Sequence, residues 1–441
     1  MKAVILAAGD GTRLGGEIPK ALINSLGLPL LERAILQAKD AGINDFIIVL
    51  GYDAKRVKQW LKENHGRLEI NYKIVTNPHW EEKDNGYSLY LTKDYLKRDK
   101  FLILMVDHLL DPEIIRRLAQ EKLDQEVIAV GVDTSKNVSI DVNEATKVKL
   151  KGDKIVDLGK NLSTYDGFDT GAFIGSKRFF PFLEKSLEEG KTTLSAGIRK
   201  AKAEGKVKAV DVGGLFWHDI DNPADLKQAK KVVLKNLGKP SDGPISKYIN
   251  RPISRRISVF LTKFLPSPNV LSISDFLFSL VAASFFFLGM PIIGGILTQL
   301  ASIFDGVDGE IARLTFKRTA YGAFIDTILD RFADFAILAG LSFLAIRANP
   351  SFFVFFVSLT AIFGSVLRPL VAAHFRGLTK KPLYELILFL KWMPDSRDVR
   401  LFIVFLAGVF ELPLLGLVVI AFLTVFNAVL RLIYLKPYLE H

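Results

Sequence analysis

The spacing of hydrophobic positions changes partway along the chain and divides it in two. Through residues 1–240 apolar and charged residues are mixed in short segments, as in a soluble domain. MKAVILAA reads as a buried first strand, and GDGTRLGG as the glycine-rich loop after it. A helix around Leu30–Ala41 and strands over Asp45–Leu50 and Phe101–Val106 follow, the last running into Asp107. Strands alternating with helices predict an α/β sheet whose ligand lies at the strand carboxyl ends. From about Ser272 onward, long runs rich in Phe, Leu, Ile and Val take over. A crossing needs roughly 20 apolar residues, and about six transmembrane helices fit, at 270–289, 291–315, 321–346, 351–375, 397–411 and 414–435. This second part is expected to be an all-α membrane domain.

LGKPSDGPISK has the Gly, Pro and Ser of a linker. Lys247–Lys263, basic and amphipathic, suits a helix on the membrane surface. The expected organisation is a soluble domain over 1–236, a linker with an interfacial helix over 237–268, and a membrane domain over 269–441.

Charge orients these parts. MKAVILAAGDG has one basic residue and too short an apolar run for a signal peptide, so the N-terminus is expected in the cytosol. The outer connections Gly289–Pro291, Arg347–Ser351 and Phe410–Pro413 then hold a single basic residue, Arg347. The inner segments are rich in them, including Lys247, Arg251, Arg255, Arg256, Lys263, Arg313, Lys317, Arg318, Arg376, Lys380, Lys381, Lys391, Arg397 and Arg400. The asymmetry predicts a multi-pass cell-membrane protein with its soluble domain, and the acidic ends of spans two and three, facing the cytoplasm. The formal charge of +11 is accounted for by this placement beside anionic headgroups, and nucleic-acid binding is not expected. The absence of cysteine excludes disulfides, thiolate metal sites and a catalytic thiol, and is compatible with a thermophile's avoidance of labile residues.

The first candidate site lies in the run Leu6, Ala7, Ala8, Gly9, Asp10, Gly11, Thr12, Arg13, Leu14, followed by Pro19 and Lys20. Gly9 and Gly11 let the backbone approach a nucleotide, so that consecutive N–H groups cradle phosphate oxygens. Arg13 offers a fork for the β- and γ-phosphates, and Lys20 a point charge for the α-phosphate under attack. Alone, the loop would pass for an ordinary β-turn-α connection. It resembles, without a gap, the LAAGxGTRL…PK signature of the sugar-phosphate nucleotidyltransferases. That resemblance implies an α/β nucleotidyltransferase domain built on a Rossmann-like mixed sheet. It also implies roles: Asn85 and Ser88 on the base side, as in the cytidylyltransferase branch, Asp107 as a metal aspartate, and Lys160 on the acceptor's phosphate. Asp169-Thr-Gly171 becomes the acceptor-binding strand edge, and Asp221, preferred to Asp219, the second metal aspartate. In the implied reaction an acceptor phosphate attacks the α-phosphorus of a nucleoside triphosphate and pyrophosphate leaves. Mg²⁺ and the three cations Arg13, Lys20 and Lys160 offset the repulsion between anions. Gly190-Lys191-Thr192 is not a P-loop, because Lys185 stands where the earlier glycine belongs.

The second candidate site is acidic and lies inside the apolar half. Asp305 and Asp308 are three residues apart and Asp326 and Asp330 four, so each pair projects from one helix face. Four uncompensated aspartates in a membrane would cost on the order of 10 kcal/mol. Pairing with Arg313, Lys317, Arg318 and Arg331 would offset part of that, but facing carboxylates at this spacing suit Mg²⁺ or Mn²⁺. The pattern resembles the DxxDGxxAR…GxxxDxxxD signature of the CDP-alcohol phosphotransferases at all eight fixed positions. The resemblance implies that Asp305, Asp308 and Asp326 hold metal on the CDP diphosphate, with Asp330 at the same centre taking the proton from the attacking hydroxyl. Gly309, Ala312 and Gly322 would leave room for the cytidine, and Arg313 would support the site electrostatically. Asp334 extends the same face and receives no role. Arg368, within an apolar span, has two readings: a site for an acceptor's phosphate, or a buried structural ion pair.

In this order the two domains make the chain similar to the bifunctional inositol-1-phosphate cytidylyltransferase/di-inositol-phosphate-phosphate synthases. The resemblance implies CTP, inositol-1-phosphate and CDP-inositol as substrates, membrane lipid as surroundings, and a homodimer through the membrane helices. The motifs themselves speak only of nucleotidyl transfer and CDP-alcohol transfer. Two other readings stand beside this one: a phospholipid-synthesising enzyme with a lipidic substrate, and an inactive nucleotide sensor or membrane tether, against which the intact acids argue.

Overall fold

The computed structural model describes residues 1–96, 100–135, 142, 145–239, 242–379 and 395–439. Lys380, Lys381 and Lys391, read above as inner cations, lie outside the described residues, as do Pro240 and Ser241 of the linker. The chain divides into two compact units, Met1–Lys235 and Asn236–His441.

Among the described residues of the first unit nine strands form one mixed sheet. They are β1 (Lys2–Ala7), β2 (Asp45–Leu50), β3 (Asn71–Thr76), β4 (Lys100–Met105), β5 (Ile128–Asp133), β6 (Lys147–Lys151), β7 (Lys154–Gly159), β8 (Gly167–Ser176) and β9 (Val207–Asp211). Their order is β3-β2-β1-β4-β8-β5-β9-β7-β6. β1 runs parallel to β2 and β4, whereas β8 is antiparallel to β4 and β5. The central strands are apolar on both faces because both are covered. Ile5, Ile48 and Leu102 enter one core layer, and Val4, Ile47 and Ile103 the other. Alternate residues of the same strands thus build two cores, the arrangement expected of an α/β domain.

The second unit is helical. The basic segment forms one π-helical turn, Ser246–Asn250, and then α1 (Arg251–Leu261). The longer helices are α2 (Pro268–Phe287), α3 (Pro291–Leu314), α4 (Ala320–Ala348), α5 (Phe352–Thr379), α6 (Arg397–Val409) and α7 (Pro413–Leu439). Among the described residues three helices are long and apolar enough to cross a membrane: α2, α5 and, over Pro413–Leu435, α7. α3 and α4 carry the motif aspartates, and α6 has 13 residues. Outward-facing Phe352, Phe363, Phe422 and Leu432 are exposed in this unit, as a lipid-facing surface requires. α3 and α6 meet backbone to backbone: a Cβ on Gly408 would lie 2.5 Å from the Pro291 carbonyl oxygen and 2.9 Å from Gly295 Cα. Packing through small residues is how membrane helices approach closely.

Candidate active sites

β1 and β4 are neighbours ending at the same sheet edge, which brings the loop after Ala7 and the acid after Val106 together. Leu6 pairs in register with Met105, and the Val106 N–H donates to the Leu6 carbonyl at 3.2 Å. Gly11 has φ +72°, which glycine adopts without a Cβ penalty, and folds the loop back upon Lys20. The cleft so formed holds about 570 Å³. Leu6, Ala8, Gly9, Gly11, Thr12 and Arg13 line it, together with Lys20, Asn85, Ser88, Asp107, Lys160 and Asp221. Ala7 closes β1 inside the core instead. Ser88 is buried and bonded to Asn77 Nδ2 at 3.0 Å, while Asn85 Oδ1 accepts from the Leu194 N–H at 2.8 Å. Both residues are therefore held from behind.

The centre of this cleft is an ion cluster. Lys20 Nζ stands 2.7 Å from Asp107 Oδ2 and 2.8 Å from Asp221 Oδ1, with Arg13 Nη1 4.0 Å from the other oxygen of Asp221. Burial disfavours the ammonium, but the two carboxylates outweigh it and hold Lys20 above its ordinary value. Burial likewise pushes Asp107 up, and Lys20 with His108 overrides it, holding the carboxyl well below the usual range.

His108 received no role from the sequence. Its Nδ1 lies 2.9 Å from Asp107 Oδ1 and 3.8 Å from Asp219 Oδ1, and its ring packs against Gly171. Burial opposes the imidazolium, yet the charges of Asp219, Asp107 and Asp169 lift it to about 9. Burial raises Asp219 to about 6, with His108 opposing the shift, and raises Asp169 to about 6 against the Gly171 N–H. Ligand atoms of Asp107, His108 and Asp219 lie within 4.8 Å of one another. Asp107 is thus flanked on both sides, by Asp221 through Lys20 and by Asp219 through His108. Asp219 and Asp221 sit two residues apart in one stretch, and sequence alone could not show that both would reach Asp107.

In the second unit, α3 presents Asp305 and Asp308, and α4 presents Asp326 and Asp330. Oxygens of Asp305, Asp326 and Asp330 lie within 4.8 Å of one another. Asp308 turns to α2, accepting from Ser272 Oγ and from the Gly309 N–H. At the centre stands Arg397, read from the sequence only as an inner cation. It contacts Asp305, lies 2.9 Å from Asp330 and reaches Asp334 at 2.7 Å. Asp334, given no role above, is buried among Arg331, Arg397 and Arg400. α2 adds Asp275, whose Oδ1 is buried without a hydrogen-bond partner among the described residues and which feels the charges of Asp305, Arg397, Asp308 and Asp326.

Beside the acids lies a pocket of about 460 Å³, lined in part by Asp308, Gly309, Ala312, Arg313, Gly322 and Asp326. Arg368 forms the ion pair foreseen as one of its two readings, with Nε 3.1 Å from Asp395 Oδ2. Arg400 Nη1 lies 3.6 Å from the same carboxylate. The acid cluster of the second unit fits a divalent cation: its donors are carboxylate oxygens, and a protein cation, Arg397, already stands among them, so positive charge is what the place requires.

Residues 3–196 match the family model of the MobA-like NTP transferase domain, and residues 265–430 that of CDP-alcohol phosphatidyltransferase. The chain is 37% identical over 436 residues to the bifunctional IPC transferase and DIPP synthase of Aquifex aeolicus (strain VF5), covering 98% of this chain and 97% of that protein. It is 33% identical over 447 residues to the protein of the same name from Thermococcus kodakarensis, covering 100% and 98%. A solved structure described as the inositol-1-phosphate CTP transferase from T. maritima is similar over 52% of this chain and 96% of its own, with 28% identity and a TM-score of 0.47.

Proposed function

Because the chain belongs to the family of bifunctional IPC transferase and DIPP synthases, we propose that it makes CDP-inositol and then consumes it. The first unit transfers CMP from CTP to inositol-1-phosphate: a phosphate oxygen attacks the α-phosphorus and pyrophosphate leaves. The second condenses CDP-inositol with another inositol-1-phosphate: a hydroxyl attacks the β-phosphorus, the diphosphate linkage breaks, and CMP leaves with di-inositol phosphate phosphate as the other product. The observation that carries this reading is the presence, in one member of that family, of two separate acid clusters, each beside a cleft lined by its own motif.

In the first cleft the glycine loop and Arg13 receive the triphosphate, Asn85 and Ser88 face the base, and Lys160 receives the acceptor's phosphate. Lys20 supplies a cation at the α-phosphate. In the second, Gly309, Ala312 and Gly322 leave space for cytidine, and Arg313 lends charge. Asp330, held by Arg397, takes the proton of the attacking hydroxyl. Asp107 and Asp221 in the first site, and Asp305, Asp308, Asp326 and Asp330 in the second, are the residues to hold Mg²⁺ or Mn²⁺, which supplies charge neutralisation on phosphate oxygens. Arg368, Arg400 and Arg431 all act on the carboxylate of Asp395, and of these Arg368 is assigned to the acceptor's phosphate. α2–α7 serve as six spans with both sites on the cytoplasmic side, and the chain pairs as a homodimer through them.

A lipidic substrate is the second reading, favoured by an apolar groove of about 400 Å³ lined by Phe356, Phe422 and Phe426 of α5 and α7. The test is phosphorus NMR of the purified protein with CTP, Mg²⁺ and inositol-1-phosphate. Pyrophosphate and a transient diphosphate signal, then CMP and a phosphodiester, are expected. Asp330→Asn should stop the sequence at CDP-inositol, with the second step slowed at least about 100-fold. Accumulation of CDP-inositol by the intact enzyme would favour the lipid, and no consumption of CTP would remove inositol-1-phosphate as the first acceptor.

A further inference from the structure

We infer that Lys239, on the segment leading into the membrane unit, belongs to the nucleotide pocket of the second site and holds a phosphate of the nucleoside-diphosphate-linked donor. This rests on the CDP-alcohol reading of that site and adds to it a residue outside the signature.

The pocket beside Asp308 and Asp326 is closed partly by Asn236, Gly238 and Lys239. Lys239 is exposed, and its ammonium is among the charges that act on Asp308 and Asp326. No hydrogen bond or ion pair takes up that ammonium among the described residues. A lysine next to a pocket whose floor is glycine and alanine, with no partner of its own, is a point charge available to a phosphate.

Its place is set by a chain of contacts that runs from the surface into the buried side of α3. Asp242 Oδ2 accepts from the Lys239 N–H at 3.0 Å, and the Asp242 N–H donates to the Lys239 carbonyl at 3.0 Å. Arg251 of α1 grips Asp242 through Nε at 2.9 Å and Nη2 at 2.8 Å. The third nitrogen of the same guanidinium, Nη1, donates to Glu310 Oε1 at 3.0 Å and to the Gly306 carbonyl at 3.3 Å. Glu310, fully buried on α3, also accepts from Ser254 at 2.8 Å and Ser258 at 2.7 Å. A Cβ at Gly306 would meet that Nη1, so a side chain there would require the end of the guanidinium to shift. Gly306 and Glu310 occupy free positions of the signature, beside Asp305 and Gly309. The same helix that carries the acids and the pocket floor therefore fixes the turn that carries Lys239.

Asp242 and Arg251 are positioning residues in this scheme, and Lys239 the binding one. The second half-reaction is assayed alone in the full-length protein, with supplied CDP-inositol and inositol-1-phosphate, following CMP release. Lys239→Ala should raise KM for CDP-inositol about five- to tenfold with kcat within about twofold, the size of one partly exposed charge-assisted contact. Lys239→Arg should stay within about twofold of the parent. Asp242→Asn should raise the same KM, and the double variant with Lys239→Ala should be no worse than Lys239→Ala alone. Pyrophosphate release from CTP should be unchanged in all of them. A parental KM in Lys239→Ala, with Asp326→Asn inactive, overturns the assignment and leaves the CDP-alcohol reading standing. If the intact enzyme does not turn over CDP-inositol, it is that reading that fails. Calorimetric CDP binding then decides the role of Lys239, in a Lys20→Glu background whose reversed charge closes the first site to phosphate. Weakening of about fivefold by Lys239→Ala supports the role, and no change overturns it.

Discussion

Replacing Lys20 by methionine should separate two properties that one ammonium joins. Lys20 Nζ lies 2.7 Å from Asp107 and 2.8 Å from Asp221, and these side chains are 11%, 18% and 31% exposed respectively. The better-buried contact, to Asp107, nets about 1.5–2 kcal/mol as a charge-assisted hydrogen bond. The contact to Asp221 is nearer solvent and is worth about 0.5–1 kcal/mol after screening. A divalent cation entering between these carboxylates competes with about 2–3 kcal/mol of existing attraction. Without the ammonium, metal binding in the absence of nucleotide should tighten by that amount, about 30- to 150-fold. Turnover should move the other way, falling about 10²–10³-fold as the α-phosphate loses its cation. Metal affinity is read by Mn²⁺ electron paramagnetic resonance or by Mg²⁺ calorimetry, and turnover by pyrophosphate release. Unchanged or weaker metal binding in Lys20→Met would refute the reasoning, because ammonium and metal would then not share the place.

Two further substitutions probe packing at each site. Gly171→Ala puts a Cβ against the His108 ring at φ +72°, and should destabilise the first unit by about 2–4 kcal/mol in thermal unfolding of the whole chain. Gly408→Val forces α6 away from Gly295 and Pro291, and should lower the thermal midpoint in detergent and slow the second half-reaction at least about tenfold. Pyrophosphate release by the first unit should be unaffected, which distinguishes this from general unfolding.

What sequence could reveal follows from what periodicity records. Helix positions came through well: the run expected at 291–315 is α3, Pro291–Leu314, because the apolar stretch and Pro291 mark its start. Motif residues of the first cleft were legible where they stand close together, from Leu6 to Lys20 at one strand end and the loop after it. Arg397 was not: its partner Asp305 is 92 residues away, and nothing local distinguishes it from other cations near a membrane surface. Lys20 and Asp221 are 201 residues apart, and their contact is equally invisible in either segment. Spacing placed Asp305 and Asp308 on one helix face but not their ends, and Ser272 on α2 decides where Asp308 turns. Asp275, one turn after Ser272, was missed because the signature begins only at Asp305.

The crossing of α3 and α6 has a mechanical consequence. Gly295 and Gly408 touch at one point along these helices, and Asp305 and Arg397 touch at another. At 1.5 Å per residue the two points are about 15 Å apart along each helix. No side chain cushions the glycine contact, so the pair has a fulcrum at one end and the acid cluster at the other. A widening at the glycine contact shifts α6 relative to α3, and with it Arg397 relative to Asp305. Heat, detergent or a bulky residue at the glycine end would then act on the chemistry by leverage, without touching any charged group.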